Sequence, residues 1–491
     1  MSNIVLSRVD DVYIRVHCES DVAYELSEYF TFNVPGAKFS PKYKNKMWDG
    51  KIRLYNIMTK RLYSGLRLYV EIFARERGYE VEYADPNAFC DQEYSLVEAY
   101  EDTKKFIKKT DIEIRDYQAE AFAHGVRTKR ALLLSPTASG KSLMIFALSM
   151  YLLKKDPSRK VLVIVPTTSL VHQMATDFGD YIQDDCNKFC HRILSGAEKD
   201  TNKPIVISTW QSIYKQPKEW FSQFHTAIGD EAHLFKAKSL TDIMGKLTNC
   251  PNKFGFTGTL DGTETHKLVL EGLFGPVKRV TTTAELIQNK TLSSFKIKAL
   301  VLNYSEEVRK QVTTSTYPDE IKFLVNNQHR TKFLNNLALS LKGNTLILFR
   351  HKDHGRAIYD MLKPKMNGRE LYYVDGDVDG TIREDIRKEV EGVQDGIIVA
   401  SLGTFSTGIN IKNLHNVIFA SPSKSRVKVL QSIGRGLRKL VSKNLFTLYD
   451  VADDLSWKST KNHTILHFVE RIKMYNEEKF DYKIYNVELR N

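Results

Sequence analysis

The sequence predicts an α/β protein with two consecutive doubly wound parallel sheets behind a small α+β N-terminal domain, and three observations carry that expectation. Short apolar runs recur in two series: Ala131–Leu134, Val161–Val165, Ile205–Ile207, Ala227–Ile228 and Phe254–Phe256, then Thr345–Phe349, Leu371–Val374, Ile397–Ala400, Val417–Ala420 and Leu445–Tyr449. They are rich in Val, Ile and Leu and lack polar alternation, as strands buried on both faces of a parallel sheet require. Longer stretches with helical patterning separate them, which is the spacing of crossover helices. Several runs end directly on a polar motif, and the carboxyl ends of parallel strands are where such sheets hold ligands. The pattern divides the 491 residues into an N-terminal domain over 1–90, a charged linker over 91–111, a first α/β domain over 112–290, a second over 291–455 and a mainly helical tail over 456–491.

Composition narrows the partners. A formal charge of +13 draws the chain toward polyanions, with nucleic acid the commonest, although anionic membranes and plain solubility also fit. Cys18, Cys90, Cys186, Cys190 and Cys250 are odd in number and lack a framework pattern, so they read as reduced thiols of an intracellular protein. Cys186, Cys190 and His191 lie close together, but a zinc site needs four ligands at better spacing. No run approaches the roughly 18 apolar residues of a membrane span, and the N-terminus lacks a signal-peptide core. The expectation is a soluble, cytoplasmic protein with no membrane partner.

Ser135, Pro136, Thr137, Ala138, Ser139, Gly140, Lys141 and Ser142 follow the run Ala131–Leu134 and precede an apolar helix, Leu143–Leu153. That context is a P-loop for ATP, in which backbone N–H groups and a helix N-terminus cradle phosphates. Lys141 neutralises the β- and γ-phosphates, and the Ser142 hydroxyl holds Mg²⁺. Ser135 stands where the usual pattern has Gly, so a simple Gly-Lys turn after a strand is the alternative until a second motif appears. Asp230 and Glu231 provide it at the end of the run Ala227–Ile228. Adjacent carboxylates at a strand end divide two jobs, Asp230 on the metal and Glu231 on the attacking water. Further on, Gln431-Ser-Ile-Gly-Arg435-Gly-Leu-Arg438 puts two guanidiniums three residues apart on one helix face. The alternative is a basic helix face, helped by Lys439 and Lys443. Position favours arginine fingers: from the second α/β domain they reach ATP only across a cleft that ATP closes and hydrolysis releases.

Together these residues resemble the superfamily-2 helicases, from about residue 112 to 450. The resemblance implies two RecA-like domains and further roles, residue by residue. Arg115 and Gln118 look like the motif upstream of the P-loop whose Gln reads the adenine edge. Pro166–Gln173, with Thr167, resembles motif Ia, and Ser208–Gln211, with Thr209 and Trp210, resembles motif Ib; both grip the nucleic-acid backbone. Thr257-Gly258-Thr259 fits motif III, which together with His233 of the Asp230 motif couples hydrolysis to movement. Arg350 lies in a match to motif IV. Thr407, Gly408 and Asn410 lie in a match to motif V, with Asn410 where many relatives carry an acidic residue. Thr407 falls among the nucleic-acid contacts, and Gly408, Asn410 and Gln431 among the ATP contacts.

The sequence is still more similar to the phage UvsW-type recombination helicases. Phe39–Leu54 resembles their small N-terminal domain, and Lys215–Phe224 resembles a segment ahead of their Asp-Glu motif. That resemblance covers nearly the whole chain. It implies unwinding or branch migration of branched DNA, including D-loops, R-loops, Holliday junctions and stalled forks, in recombination, repair and replication. The RNA of R-loops and other recombination or replication proteins follow as further partners.

Between Lys38 and Arg61 stand eight Lys or Arg against one acid, Asp49, with Phe39, Tyr43, Trp48 and Tyr55 interleaved. Lys42, Lys44 and Lys46 can track phosphates while Trp48 stacks on an unpaired base or wedges at a junction. The alternative is a β-hairpin with a solvated basic face and aromatics packed inward. Lys424, Arg426 and Lys428 likewise either hold DNA or flank the ATP site. Helicase motifs grip the sugar–phosphate backbone and discriminate poorly between DNA and RNA. An RNA helicase and a duplex translocase that leaves strands paired therefore stand as alternatives. A passive binding protein with a degenerate nucleotide site is opposed by the intact Lys141, Glu231, Arg435 and Arg438.

Overall fold

Both series of apolar runs form parallel sheets, each of seven strands. The structure, a computed structural model, describes residues 3–489 except 110, 408–410, 412, 422–428, 431 and 434–444, with backbone alone at 380, 381, 384 and 405–407. The chain divides into two compact units, one of residues 1–135 and 139–280 and the other of 136–138 and 281–491.

The first unit opens with β1 (Asn3–Arg8), β2 (Tyr13–His17), β3 (Thr31–Asn33), β4 (Lys51–Arg53), β5 (Arg61–Tyr63) and β6 (Glu80–Tyr83). Four of them form a mixed sheet in the order β5-β2-β1-β6, while β3 and β4 make a separate two-stranded ribbon. Strict alternation in β1 and β2 turns Ile4, Leu6, Ile14 and Val16 to one buried face, where they meet Val22 and Leu26 of the helix Ser20–Tyr29 and Val70 and Phe73 of the helix Arg67–Arg77.

The first parallel sheet follows: β7 (Arg130–Leu134), β8 (Lys160–Val165), β9 (Cys190–Ile193), β10 (Ile205–Thr209), β11 (Phe224–Asp230), β12 (Asn252–Thr257) and β13 (Val277–Arg279), in the order β13-β7-β12-β11-β8-β10-β9. The period of two splits each strand between two cores. Ala131, Leu133, Val161 and Val163 face the helices Asp116–Thr128, Lys141–Lys155 and Thr168–Ile182. Leu132, Leu162, Ile164 and Val206 face the other way, into a cluster continuous with the core of the N-terminal domain. The first α/β sheet and the N-terminal domain therefore share one apolar core.

Polar bonds cross the same seam. The Asp11 carbonyl accepts from buried Lys253 Nζ at 2.7 Å and from both terminal nitrogens of Arg130 at 2.9 Å. Tyr69 donates its hydroxyl to Glu271 Oε2 at 2.7 Å. The segment 91–111, expected to be a linker, carries the helix Leu96–Phe106, whose capping box pairs Ser95 with Glu98. Tyr94 is buried against the rings of Phe122 and Tyr151, and Ala99 is fully buried, so this segment belongs to the α/β core. Its charges lie on the outer face of an amphipathic helix, which is why the stretch looks like a linker in sequence.

The second unit contains β14 (Ser294–Asn303), β15 (Thr345–Phe349), β16 (Leu371–Val374), β17 (Ile397–Ser401), β18 (Asn416–Phe419), β19 (Leu445–Asp454) and β20 (Tyr482–Glu488), in the order β16-β17-β15-β18-β19-β14-β20. The tail is half of what was expected. The helix His463–Glu477 is present, but Tyr482–Glu488 is an edge strand paired with β14. An edge strand needs no continuous apolar run, and most side chains of this one are exposed. Two buried ion pairs tie β19 to the surrounding chain: Arg330 to Asp453 at 2.8 Å, and Arg471 to Asp450 at 2.8 Å. Tyr304 and Tyr475 add a hydroxyl to each carboxylate.

Candidate nucleotide site and nucleic-acid face

The sheet order sorts the candidate residues of the first unit. β7, β12 and β11 are adjacent, and their carboxyl ends carry the P-loop, Thr257 and Asp230 respectively. β8 and β10 are adjacent on the other side of β11, and their carboxyl ends carry Thr167 and Thr209 with Trp210.

The P-loop is built from buried hydroxyls and left-handed backbone. Ser135 and Ser139 are both fully buried and bond each other through their hydroxyls, and the Ser135 N–H donates to the Thr257 carbonyl at 2.8 Å. The backbone N–H thus pins the loop to β12, as any residue here could, while the serine hydroxyl in place of the usual first glycine ties the two ends of the loop to each other. Ala138 and Gly140 adopt φ of 66° and 85°. At Gly140 a Cβ would stand 2.2 Å from Gln118 Nε2, so a side chain there would push the Gln118 amide aside as well as strain the left-handed backbone. Gln118 is buried; its Nε2 donates to the Ser139 carbonyl at 2.8 Å, and its Oε1 accepts from the Arg115 N–H at 3.0 Å. Tyr117 adds a hydroxyl to the same carbonyl at 3.1 Å. Gln118, expected at the adenine edge, is therefore also a prop of the phosphate loop.

Lys141 opens the helix Lys141–Lys155, and its Nζ lies 3.7 Å from Glu231 Oε1 and 3.5 Å from the Ser135 carbonyl. Glu231 itself sits at φ 51°, an uncommon left-handed conformation for a residue with a side chain. Its N–H donates to Asp230 Oδ1 at 3.0 Å. Burial, reinforced by the adjacent Glu231 carboxylate and opposed by Lys141, pushes the Asp230 carboxyl up to about 6. His233 Nδ1 lies 3.0 Å from Thr257 Oγ1 and 3.4 Å from Glu231 Oε2. The Thr257 hydroxyl already donates to the Thr259 carbonyl at 3.0 Å, so it accepts from His233, which places the imidazole proton on Nδ1. A chain of contacts runs Lys141, Glu231, His233, Thr257, Thr259.

Two adjacent carboxylates beside one ammonium leave room for a cation's charge. Ser142 and Asp230 offer hard oxygen donors. Among the described residues no group of three or more His, Cys, Asp or Glu could hold a metal. That donor set suits an ion which takes one or two protein oxygens and shares nucleotide phosphates, the habit of Mg²⁺.

Thr167 caps the helix Thr168–Ile182, accepting from the Leu170 N–H at 3.4 Å. Thr209 is buried and shares its hydroxyl with Ser212 at 3.0 Å, and Trp210 is half-buried. Arg350, at the end of β15, is exposed, and its Nη1 reaches Tyr317 Oη at 3.4 Å. In the N-terminal domain a lobe over residues 34–50 projects between β3 and β4. Lys42, Lys44 and Lys46 are all exposed, as is Phe39 at 72 %. The aromatics divide: Tyr55 is buried, Tyr43 is exposed, and Trp48 is half-buried with its indole N–H on the Lys51 carbonyl at 2.8 Å. Gly408, Asn410, Gln431, Arg435 and Arg438 lie outside the described residues, as do Lys424, Arg426, Lys428 and the side chain of Thr407.

The sequence does not single out Tyr117 or Tyr181 as site residues. The Tyr181 hydroxyl lies 2.7 Å from Ser142 Oγ. Tyr117 sits within the Arg115–Gln118 motif, whose position beside the P-loop could have flagged it. For Tyr181 no local pattern could have done so.

Comparison with known proteins follows the same division. Residues 3–84 match the family described as DNA helicase UvsW, N-terminal; residues 111–262 match Type III restriction enzyme, res subunit; and residues 329–439 match the helicase conserved C-terminal domain. The ATP-dependent DNA helicase uvsW of Enterobacteria phage T4 is 36% identical over an alignment of 508 positions that covers 98% of this chain and 98% of that protein. The DNA 3'-5' translocase XPB2 of Sulfurisphaera tokodaii is 24% identical, over 72% of this chain and 84% of that protein. The crystal structure of T4 UvsW superposes with a TM-score of 0.53 at 35% identity, covering 99% of this chain and 100% of that one. Yeast Dbp5 bound to RNA and ADP BeF3 matches at a TM-score of 0.53 and 12% identity, a likeness of fold alone.

Proposed function

The chain belongs to the UvsW family of ATP-dependent DNA helicases within superfamily 2, and from that membership we propose that it spends ATP with Mg²⁺ to unwind or branch-migrate branched DNA. The observation that carries the reading is the contact chain from Lys141 through Glu231 and His233 to Thr257 and Thr259, which links the phosphate side of the site to the motif III loop.

Lys141 neutralises the β- and γ-phosphates, and Ser142 with Asp230 holds the metal. When bound, Mg²⁺ neutralises phosphate charge and polarises the γ-phosphate. Glu231 orients and deprotonates the attacking water. Its partner His233 reports the change at that carboxylate to Thr257 and Thr259. Arg435 and Arg438 stabilise transition-state charge, Arg115 and Gln118 bind the base, and Gly408, Asn410 and Gln431 complete the nucleotide contacts. Thr167, Thr209, Trp210, Arg350 and Thr407 hold the sugar–phosphate backbone, while Lys42, Lys44, Lys46 and Trp48 favour branched DNA. D-loops, R-loops, Holliday junctions and stalled forks are the expected substrates.

Turnover measured with single-stranded DNA, duplex, RNA and a four-way junction tests the substrate class. Junction DNA should stimulate hydrolysis and be resolved, whereas RNA stimulation that exceeds DNA would contradict the reading. In the same assay Glu231→Gln should bind ATP yet turn over at least about 10²-fold more slowly.

A further inference from the structure

Tyr181 lies outside every helicase motif, 39 residues from Ser142 in the chain, yet its hydroxyl is 2.7 Å from Ser142 Oγ. Its position is not casual. The ring packs against Phe146 with centroids 5.4 Å apart. Phe146 is four residues beyond Ser142 on the same helix, so one helix face presents both the hydroxyl and the ring. Phe178, one turn before Tyr181, packs edge-on against Phe146 at 5.2 Å. The Tyr181 carbonyl is held as well, accepting from the Lys108 and Lys109 N–H groups at 2.7 and 3.2 Å.

We infer that Tyr181 is a positioning residue for the metal-side hydroxyl of the P-loop, accepting the Ser142 proton so that the Ser142 lone pairs face Mg²⁺. The inference rests on the proposed role of Ser142 as a metal ligand. A serine hydroxyl has one proton and two lone pairs. To coordinate a cation it must turn the proton away, and the Tyr181 oxygen, 2.7 Å off in a bond that either hydroxyl can donate, stands where it can accept that proton. Without that acceptor the hydroxyl is free to rotate, and the metal must fix it at each binding event. Partners of this kind, one bond removed from the metal, typically change metal affinity by about 10–100-fold.

Tyr181→Phe in the full chain keeps the ring and its packing on Phe146 and deletes only the acceptor. Binding of a fluorescent ADP analogue is followed as a function of Mg²⁺ concentration and separately in EDTA, alongside thermal melting. The half-saturating Mg²⁺ concentration should rise about 10-fold or more, with metal-free nucleotide affinity and melting temperature unchanged. Ser142→Ala should produce the larger rise, and adding Tyr181→Phe to it should change nothing further. An unaltered Mg²⁺ requirement in Tyr181→Phe overturns the inference. So does a tighter one, which would make the tyrosine a competitor of the metal. An equal loss of metal-free nucleotide binding would make it a structural prop and overturn the inference too. If Ser142→Ala is itself silent toward Mg²⁺, the assignment of Ser142 fails first; if only Tyr181→Phe is silent, the positioning role alone fails.

Discussion

Replacing Gly65 by Ala tests whether the N-terminal domain and the first α/β sheet fold as one body. Gly65 lies in the turn Ser64–Leu66, where a Cβ would stand 2.0 Å from the Glu271 carbonyl oxygen and 2.8 Å from that of Gly272. Ordinary carbon–oxygen contacts are about 3.3 Å or longer. Both oxygens are main-chain atoms of the helix Glu264–Phe274, which is buried from Leu268 to Phe274, so neither can swing aside. The seam must open by about an ångström, and its polar bonds weaken together. Those are Tyr69 on Glu271, Lys253 and Arg130 on the Asp11 carbonyl, and the Asp11 N–H on the Thr248 carbonyl at 3.1 Å. Neutral bonds contribute about 1 kcal/mol each and charged ones about 1.5–3. With each of these bonds weakened by about half, the expected loss is about 3–5 kcal/mol, a large part of a typical total of about 5–15. Urea unfolding of the full chain reads it as an earlier first transition. Gly245→Ala is the control: no heavy atom lies within 4 Å of its Cβ, and in the helix Lys238–Lys246 it should be neutral or gain about 0.5–1 kcal/mol. If Gly65→Ala unfolds within about 1 kcal/mol of wild type, the close-packed seam is not what joins the two parts.

Three other outcomes are expected. Burial, then repulsion from Arg130, pushes the Lys253 ammonium down to about 7 from 10.5. Between those values the unfolded chain binds more protons than the folded one, so stability should rise with pH from about 7 to 10, and Lys253→Met should flatten that rise; parallel urea midpoints in both proteins across this range would contradict it. Replacing Lys42, Lys44 and Lys46 by Ala should shrink the salt slope of log K for junction binding by up to about 2–3 units, while single-strand-stimulated hydrolysis largely survives; equal losses on both substrates would make the lobe a general clamp. Arg438→Ala should keep ATP affinity within a few fold and lose at least about 10²-fold in kcat, and near-normal turnover would remove it from the transition state.

The apolar runs that became β7, β8, β10, β11 and β12 were legible because a strand buried on both faces must be apolar throughout. β9, β13 and β20 are edge strands with partly or fully exposed polar side chains and offer no such run; β14 does carry one, Ala299–Leu302, but opens with Lys at alternate positions, which blurs the strand's start. Burial on one face only hid the helix Leu96–Phe106 inside a charged stretch. The phosphate loop and the Asp230–Glu231 pair were legible for a different reason. Their chemistry needs fixed residue types at fixed short spacings, and spacing along the chain is what a sequence records. The seam bond from Lys253 to Asp11 spans 242 residues, and that from Tyr181 to Ser142 spans 39. No local spacing encodes such partners. Two sheets and their crossover helices had to pack first, and only then did a buried ammonium find a carbonyl and a phenol find a serine hydroxyl.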